Sequence, residues 1–441
     1  MSARTVIRVL VVSLMVSSLS VMSGVCLAEE SDQGILPVPD YSGDFQERSH
    51  LTGDWGGTRQ DWAQRGILLD FGWYQAYQDI VNGGASKDSA NSTNLDYRLT
   101  LDLARMNAVP GAIVNVRGQS RFGSTVNEQS GLLLPVNMYS YFPYGSTADE
   151  DITFTITEFN WTQFLAENFG LLAGKITTLG TANEFMGGEG RSQFMNFQFN
   201  FPAVVAQLAP YSTLAVSAFW LPSENWTITT TFMNLQDAST TSGFSDIGDG
   251  TTWATTADYL ASLNTLPGGG SLGFYYGFDA EFAKIGGLNY DPSTGSASVE
   301  SKSSSWGLTW SGWQYLFAED SSQAVDPRNG RQDLQGLGLF MDLGFGDRDA
   351  NPVTWTAAGG LSGRGSIPSR DDDTWGLGLF YNELQDLGVV SLESMNSGVE
   401  AYYDIALTGY AYLTLNAQWT KSGLKSVDNA SILAARLNVR F

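Results

Sequence analysis

Three short stretches of this 441-residue chain place charged or amide side chains at every second position. In "NLDYRLTLDLA" these are Asp96, Arg98 and Asp102, with Thr100 between them. In "GAIVNVRGQSRF" they are Asn115, Arg117, Gln119 and Arg121, and in "LLAGKITTL" Lys175 precedes Thr177. Each such group donates or accepts several hydrogen bonds. Gathered on one surface, they suit reversible contact with polar solutes. Signs of bond-making chemistry are weaker. The sole histidine, His50, stands in a polar segment and reads as a surface residue. No Cys, His and carboxylate group has metal-ligand spacing. "GGEGR" and "GGLSGRGS" lack the order of a P-loop and read as turns. Carboxylates are plentiful, so counting alone does not dismiss a glycosidase-like pair.

Those residues need elements that alternate. Between them stand Leu95, Tyr97, Leu99, Leu101 and Leu103, then Ala112, Val114 and Val116. Side chains of a β-strand point alternately to opposite faces, so these are strands with one apolar side. The pattern returns in "SLGFYYGFDAEFA", "QGLGLFMDLGF", "VEAYYDIAL" and "AYLTLNAQWT". It returns last in "SILAARLNVRF", where Leu433, Ala435, Leu437, Val439 and Phe441 share a face. Runs of roughly nine to eleven residues match the length that crosses a bilayer at a tilt. A soluble β-sandwich also alternates. Two features favour a closed transmembrane barrel. Aromatic residues such as Phe345, Trp419 and Phe441 sit near strand ends on the apolar faces, as at membrane interfaces. Charges stand in mid-strand on the opposite faces, where a barrel has a wet lumen.

Composition agrees. Acidic residues outnumber basic ones, 46 to 23, which removes the clustered positive charge that nucleic acid requires. Only 16% of residues are charged, against about 25% in ordinary soluble chains. Residues 1–28 read as a secretory signal: Arg4 and Arg8, an apolar run from Val9 to Val25, then "CLA" before Glu29. The only cysteine, Cys26, falls within it. Residues 29–66 form an N-terminal periplasmic segment, with Asp54 capping a short helix over Trp55 to Arg65 and Gly66 ending it. Residues 67–441 then form an all-β, antiparallel transmembrane barrel of about 16 strands. The first strand, about Leu68 to Ile80, must pair with the last, because an open edge cannot sit in hydrocarbon. Long polar loops are expected at Asn82 to Thr93, Asp237 to Gly270 and Asp291 to Ser305.

"LTGDWGGTRQDWAQRGI" (Leu51 to Ile67) resembles the opening signature of the OprB family of carbohydrate-selective porins. "LLAGKITTLGTANEF", "QFMNFQFNFPAVVAQLAPYSTLAVSAFWLP", "IPSRDDDTWGLGLFYN" and "VEAYYDIALTGYAYLTLNAQW" resemble later family segments. The last departs from the family where a proline-aspartate pair is usual, and residues 237–330 match nothing in it. The resemblance implies an outer-membrane channel in the bacterial envelope that passes sugars by diffusion, without a cofactor. It also implies charged residues at a constriction, carried here to Arg98, Arg117, Glu158 and Lys175. Inward parity adds Asp96, Asp102 and Arg121. Glu158 conflicts with strict alternation, because Ile152, Phe154 and Ile156 would put it outward; a bulge near Thr157 restores it, as would a turn. The partners expected are carbohydrate solutes, outer-membrane lipid and an assembly machinery that receives the C-terminal strand, with a homo-oligomer left open. The alternative reading is an exported, soluble all-β protein that binds or cleaves carbohydrate.

Overall fold

The structure, a computed structural model, describes residues 34–147, 150–180, 183–186, 188–291, 296–319, 334–385 and 391–441. The expected secretory signal lies outside the described residues. Sixteen antiparallel strands close into a barrel in which each strand pairs with its neighbours in sequence. They are β1 (Ile67–Gly84), β2 (Ser89–Asp102), β3 (Ala112–Gly123), β4 (Ile152–Ala166), β5 (Phe169–Thr177), β6 (Ser212–Ser223), β7 (Trp226–Asn234) and β8 (Thr251–Leu263). The second half comprises β9 (Leu266–Asp291), β10 (Ser296–Ala318), β11 (Gly336–Gly346), β12 (Val353–Arg364), β13 (Thr374–Leu384), β14 (Met395–Thr408), β15 (Ala411–Lys421) and β16 (Asp428–Arg440).

Closure is made by β1 on β16, with Gly72 opposite Arg440 and Ile80 opposite Ile432. Every strand then has two neighbours, as a bilayer demands. The chain's last residue belongs to this seam. Phe441 N–H donates to Phe71 O at 2.8 Å, and the two rings meet edge to face at 5.1 Å. The outer face is apolar: Phe154, Trp161, Val216, Phe232, Leu339, Phe345, Leu379 and Trp419 are all exposed. The polar partners of those positions point inward.

Strand extents depart from expectation in three places. Two long loops expected around Asp237 to Gly270 and Asp291 to Ser305 are largely strand, as β8, the start of β9 and the start of β10. Asn82 to Thr93 is likewise mostly strand, leaving only residues 85–88 as the connection. The cause is composition. Thr, Ser and Gly lie on both faces of these strands, so no apolar period marks them, although Thr favours extended backbone. Two-residue turns at 167–168, 224–225, 264–265 and 409–410 mark one rim, the short-turn rim, and the connections 124–151, 178–211 and 235–250 leave the other.

The hydrophobic core lies inside the barrel. The described residues of the connection between β5 and β6, 178–180, 183–186 and 188–211, turn inward and pack aromatic residues against the far wall. Phe194 and Phe199 stack at 4.4 Å, with Phe340, Phe380 and Tyr402 around them. Gly376 and Gly378 on β13 make room: a β-carbon at either would collide with these rings. Glu400 on β14 anchors the same connection, accepting from the N–H groups of Met195 (2.6 Å) and Asn196 (3.0 Å).

The N-terminal segment caps the short-turn rim. Its helix, α1 (Thr58–Gln64), is shorter than expected and lacks the Asp54 cap. Trp55, Gly56 and Gly57 all have left-handed φ (55°, 66° and 91°), so the helix cannot begin before them. Asp54 instead accepts from Gly56 N–H at 3.0 Å. Gly66 is left-handed, as its place after the helix requires. Leu51 N–H donates to Arg440 O at 2.8 Å, tying the segment to the closing strand. His50 is buried, contrary to its reading as a surface residue. It lies between Ser49 (2.8 Å) and Asp70 (3.0 Å), beneath the ring of Tyr41. Arg59, whose guanidinium covers Tyr41 at 4.0 Å, also reaches Asp70.

Burial lowers the His50 imidazole below its ordinary range; Asp70 opposes that shift, and Arg59 and Arg440 reinforce it. The folded segment therefore prefers neutral His50, and the unfolded segment binds the proton more readily. The stability this contributes is complete above about pH 6.5 and is lost on acidification. Limited proteolysis of residues 34–66 is expected to accelerate between about pH 7.5 and pH 5. His50→Gln should flatten the response. A cleavage rate independent of pH in the wild type would contradict this assignment.

Candidate functional site

Register brings three of the expected residues into line. Arg98 on β2 stands opposite Arg117 on β3, and Arg117 stands opposite Glu158 on β4. The parity conflict at Glu158 is resolved by a bulge. Arg117 pairs with Glu158, but the next residue, Gly118, pairs with Ile156. Thr157 is the extra residue, and both Thr157 and Glu158 are turned inward and buried.

Arg117 is the centre of the cluster. Its Nε and Nη2 donate to Asp96 Oδ2 at 2.8 and 2.6 Å. Its Nη1 reaches Glu158 Oε1 at 3.3 Å, and its Nη2 reaches Glu189 Oε2 at 2.8 Å. Arg98 Nε donates to the other Asp96 oxygen at 2.9 Å, and its Nη2 lies 3.8 Å from Glu189. Tyr139 donates its hydroxyl to Asp96 (3.0 Å), and Thr177 donates to Glu158 (2.7 Å). Burial raises the Tyr139 phenol, which keeps it a neutral donor. Two guanidinium groups thus hold three carboxylates, two from the wall and one from the inner connection.

Glu189 and its neighbours were not among the residues expected from sequence. "GGEGR" reads as a turn, and it is one, but a turn aimed into the lumen. Glu189 has φ 56°, between Gly188 and Gly190, which are also left-handed. The available signal was an acid flanked by glycines in a long connection between two clear strands. Arg191 continues the clamp, donating to Asn438 Oδ1 on β16 at 3.2 Å. Arg436 on β16 donates to the carbonyls of Gly190 and Gln193, both at 2.9 Å.

The other expected residues have different duties. Lys175 Nζ donates to Ile156 O (2.6 Å) and Thr241 O (2.7 Å), fastening the β7–β8 connection to the bulged strand. Arg121 donates to Tyr141 O (2.7 Å) and Glu150 O (2.6 Å), bracing the β3–β4 connection. Asp102 is remote from the cluster. At the short-turn rim its Oδ2 accepts from Ile35 N–H (2.6 Å) and Leu36 N–H (2.9 Å), docking the N-terminal segment. It sits at the last residue of its strand, where inward parity no longer means the mid-lumen.

All seven expected residues are nearly sealed from solvent. Asp96, Arg98, Arg117 and Glu158 are only 1–5% exposed. They touch one another and the inner connection. Among the described residues, two cavities open beside that connection. One, of about 180 Å³, faces the short-turn rim, with Arg364, Asp404, Tyr412 and Arg440 in its wall. The other, of about 190 Å³, lies against β7 to β11.

The family model for carbohydrate-selective porins of the OprB family matches residues 86–441. The chain belongs to this family. No curated protein sequence matches it. Among solved structures, Pseudomonas putida OprB at high pH aligns with a TM-score of 0.75 at 20% identity, covering 90% of this chain and 100% of that one. The low-pH structure of the same protein aligns with a TM-score of 0.57 at 16% identity, covering 90% and 99%. At these identities the likeness is one of fold. As an OprB-family porin, the protein is a β-barrel channel for carbohydrate in the bacterial outer membrane, and not an enzyme.

In this porin, removal of Arg117 leaves three carboxylates with one guanidinium between them. Breaking such a buried pair costs about 3–5 kcal/mol. Arg117→Met is expected to lower the temperature at which the folded gel band converts to the unfolded one. Single-channel current should become noisier as the inner connection loosens. A variant with wild-type heat resistance and a quiet current would show that the cluster does not hold the connection.

Proposed function

We propose that the porin passes monosaccharides and small oligosaccharides by passive diffusion, and that the buried ion cluster sets the bore without itself lining the path. The observation that carries this reading is the sharing of Arg117 between the barrel wall and Glu189. The inner connection would otherwise be a flexible loop in an aqueous lumen. Clamped at Glu189, Arg191, Met195 and Asn196, it keeps a fixed width. Solute then moves through the open cavities, where contacts are few and release is fast, as a diffusion pore requires. The short-turn rim faces the periplasm, following the habit of outer-membrane barrels. Residues 34–66 cap it there, and residues 1–28 are removed on export in this reading. Sugar-dependent block of ion current in planar bilayers, with matching entry of sugars into proteoliposomes, is the expected outcome. Conductance that no sugar blocks, together with exclusion of every sugar, would refute the reading.

The C-terminal strand also serves assembly in this proposal. Phe441 completes the seam and presents a terminal aromatic ring to the insertion machinery. Deletion of Phe441 alone should reduce the amount of heat-modifiable protein in the outer membrane several-fold, while total synthesis is unchanged. Normal insertion of the truncated chain would count against that role.

A further inference from the structure

The cavity of about 190 Å³ against β7 to β11 differs in chemistry from the ion cluster. One register row crosses its wall. Asp258 on β8 stands opposite Ser271 on β9, Ser271 opposite Ser311 on β10, and Ser311 opposite Asp342 on β11. All four residues line the cavity. The row is carboxylate, hydroxyl, hydroxyl, carboxylate, spread over three inter-strand gaps, or about 14 Å. A second row beside it adds the hydroxyls of Thr229, Thr256 and Thr309. No Lys, Arg or His is among the described residues that line this space.

Asp342 supplies the second observation. It is 5% exposed, and its Oδ1 has no hydrogen-bond partner among the described residues. A buried acceptor without a donor is unfavourable and calls for one from outside the protein. The inner connection fixes the site from the other side. Asn183 donates to Ser311 Oγ and Gly312 O, both at 3.1 Å. Thr177, which also lines the cavity, donates to Glu158 of the ion cluster. The cavity therefore lies directly beside the clamp.

We propose that this wall is a sugar-contact lane that admits neutral and amino sugars and disfavours sugar acids, with Asp342 as the specificity-determining residue. Sugar hydroxyls, or the ammonium group of an amino sugar, donate to the carboxylates of Asp258 and Asp342. The serine and threonine hydroxyls, each donor and acceptor, follow the remaining hydroxyls along the row. The length of the row exceeds one pyranose ring, so a short oligosaccharide can lie across it. A uronate carboxylate meets two acids and no base. The proposal rests on the carbohydrate-channel reading above and adds a charge preference to it.

Proteoliposomes carrying the full-length porin, at about pH 7, test it with glucose, glucosamine and glucuronate. Entry should rank glucosamine first and glucuronate last. Asp342→Asn should narrow the glucosamine-to-glucuronate ratio by about threefold or more, while glucose entry changes little. Asp258→Asn, farther along the row, should narrow it in the same direction. Heat-dependent gel shift establishes that each variant is folded; if Asp342→Asn is not, Asp258→Asn decides the question. Sugar entry with an unchanged ratio in the folded variants overturns the lane and leaves the channel reading intact. Entry of no sugar into wild-type proteoliposomes overturns both.

Discussion

One guanidinium organises the interior of this porin. Arg117 touches acids from β2, from β4 and from the inner connection, and so ties that connection to the barrel wall. A buried carboxylate is unfavourable without a partner, and three close together are more so. Each acid is therefore tolerable only while the arginine is in place, and the arginine only while the acids are. That mutual dependence fixes the position of Glu189 against the barrel wall.

The barrel reverses the usual arrangement of a globular protein. Its outer surface is apolar because lipid is the solvent there, and its packed core is a loop folded into the lumen. Aromatic residues of that loop seat on glycines of the far strands, with the Phe194–Phe199 stack against Gly376 and Gly378. Arginines on β2 and β3 are paired with acids, whereas the cavity wall from β7 to β11 carries hydroxyls and acids with no base among its described residues.

Much of this was written plainly in the sequence. Period-two alternation marked β2, β3, β11, β14, β15 and β16, and the need to leave no open strand edge in hydrocarbon foretold a closing seam. Inward parity placed Asp96, Arg98, Arg117 and Arg121 in the lumen. The irregular parity at Glu158 had a bulge at Thr157 as one of its two solutions. What could not be read depends on contacts between distant segments. Nothing local says that "GGEGR" turns inward, because the partners of Glu189 are about 70 to 90 residues earlier in the chain. Asp102 shares the parity of Asp96, yet its height in the barrel sends it to the N-terminal segment. His50 is polar and lies among polar residues, but Tyr41 and Asp70 enclose it. Strand β8 and the starts of β9 and β10 were hidden because Ser, Thr and Gly lie on both of their faces.

The bulge at Thr157 carries a consequence for how the chain selects its fold. With one residue fewer, β4 would still pair along its whole length, but everything beyond the slip would be turned inside out. Glu158 would then enter lipid, where an ionised carboxylate is intolerable. The misregistered barrel is thus penalised at the very residue that the correct one needs.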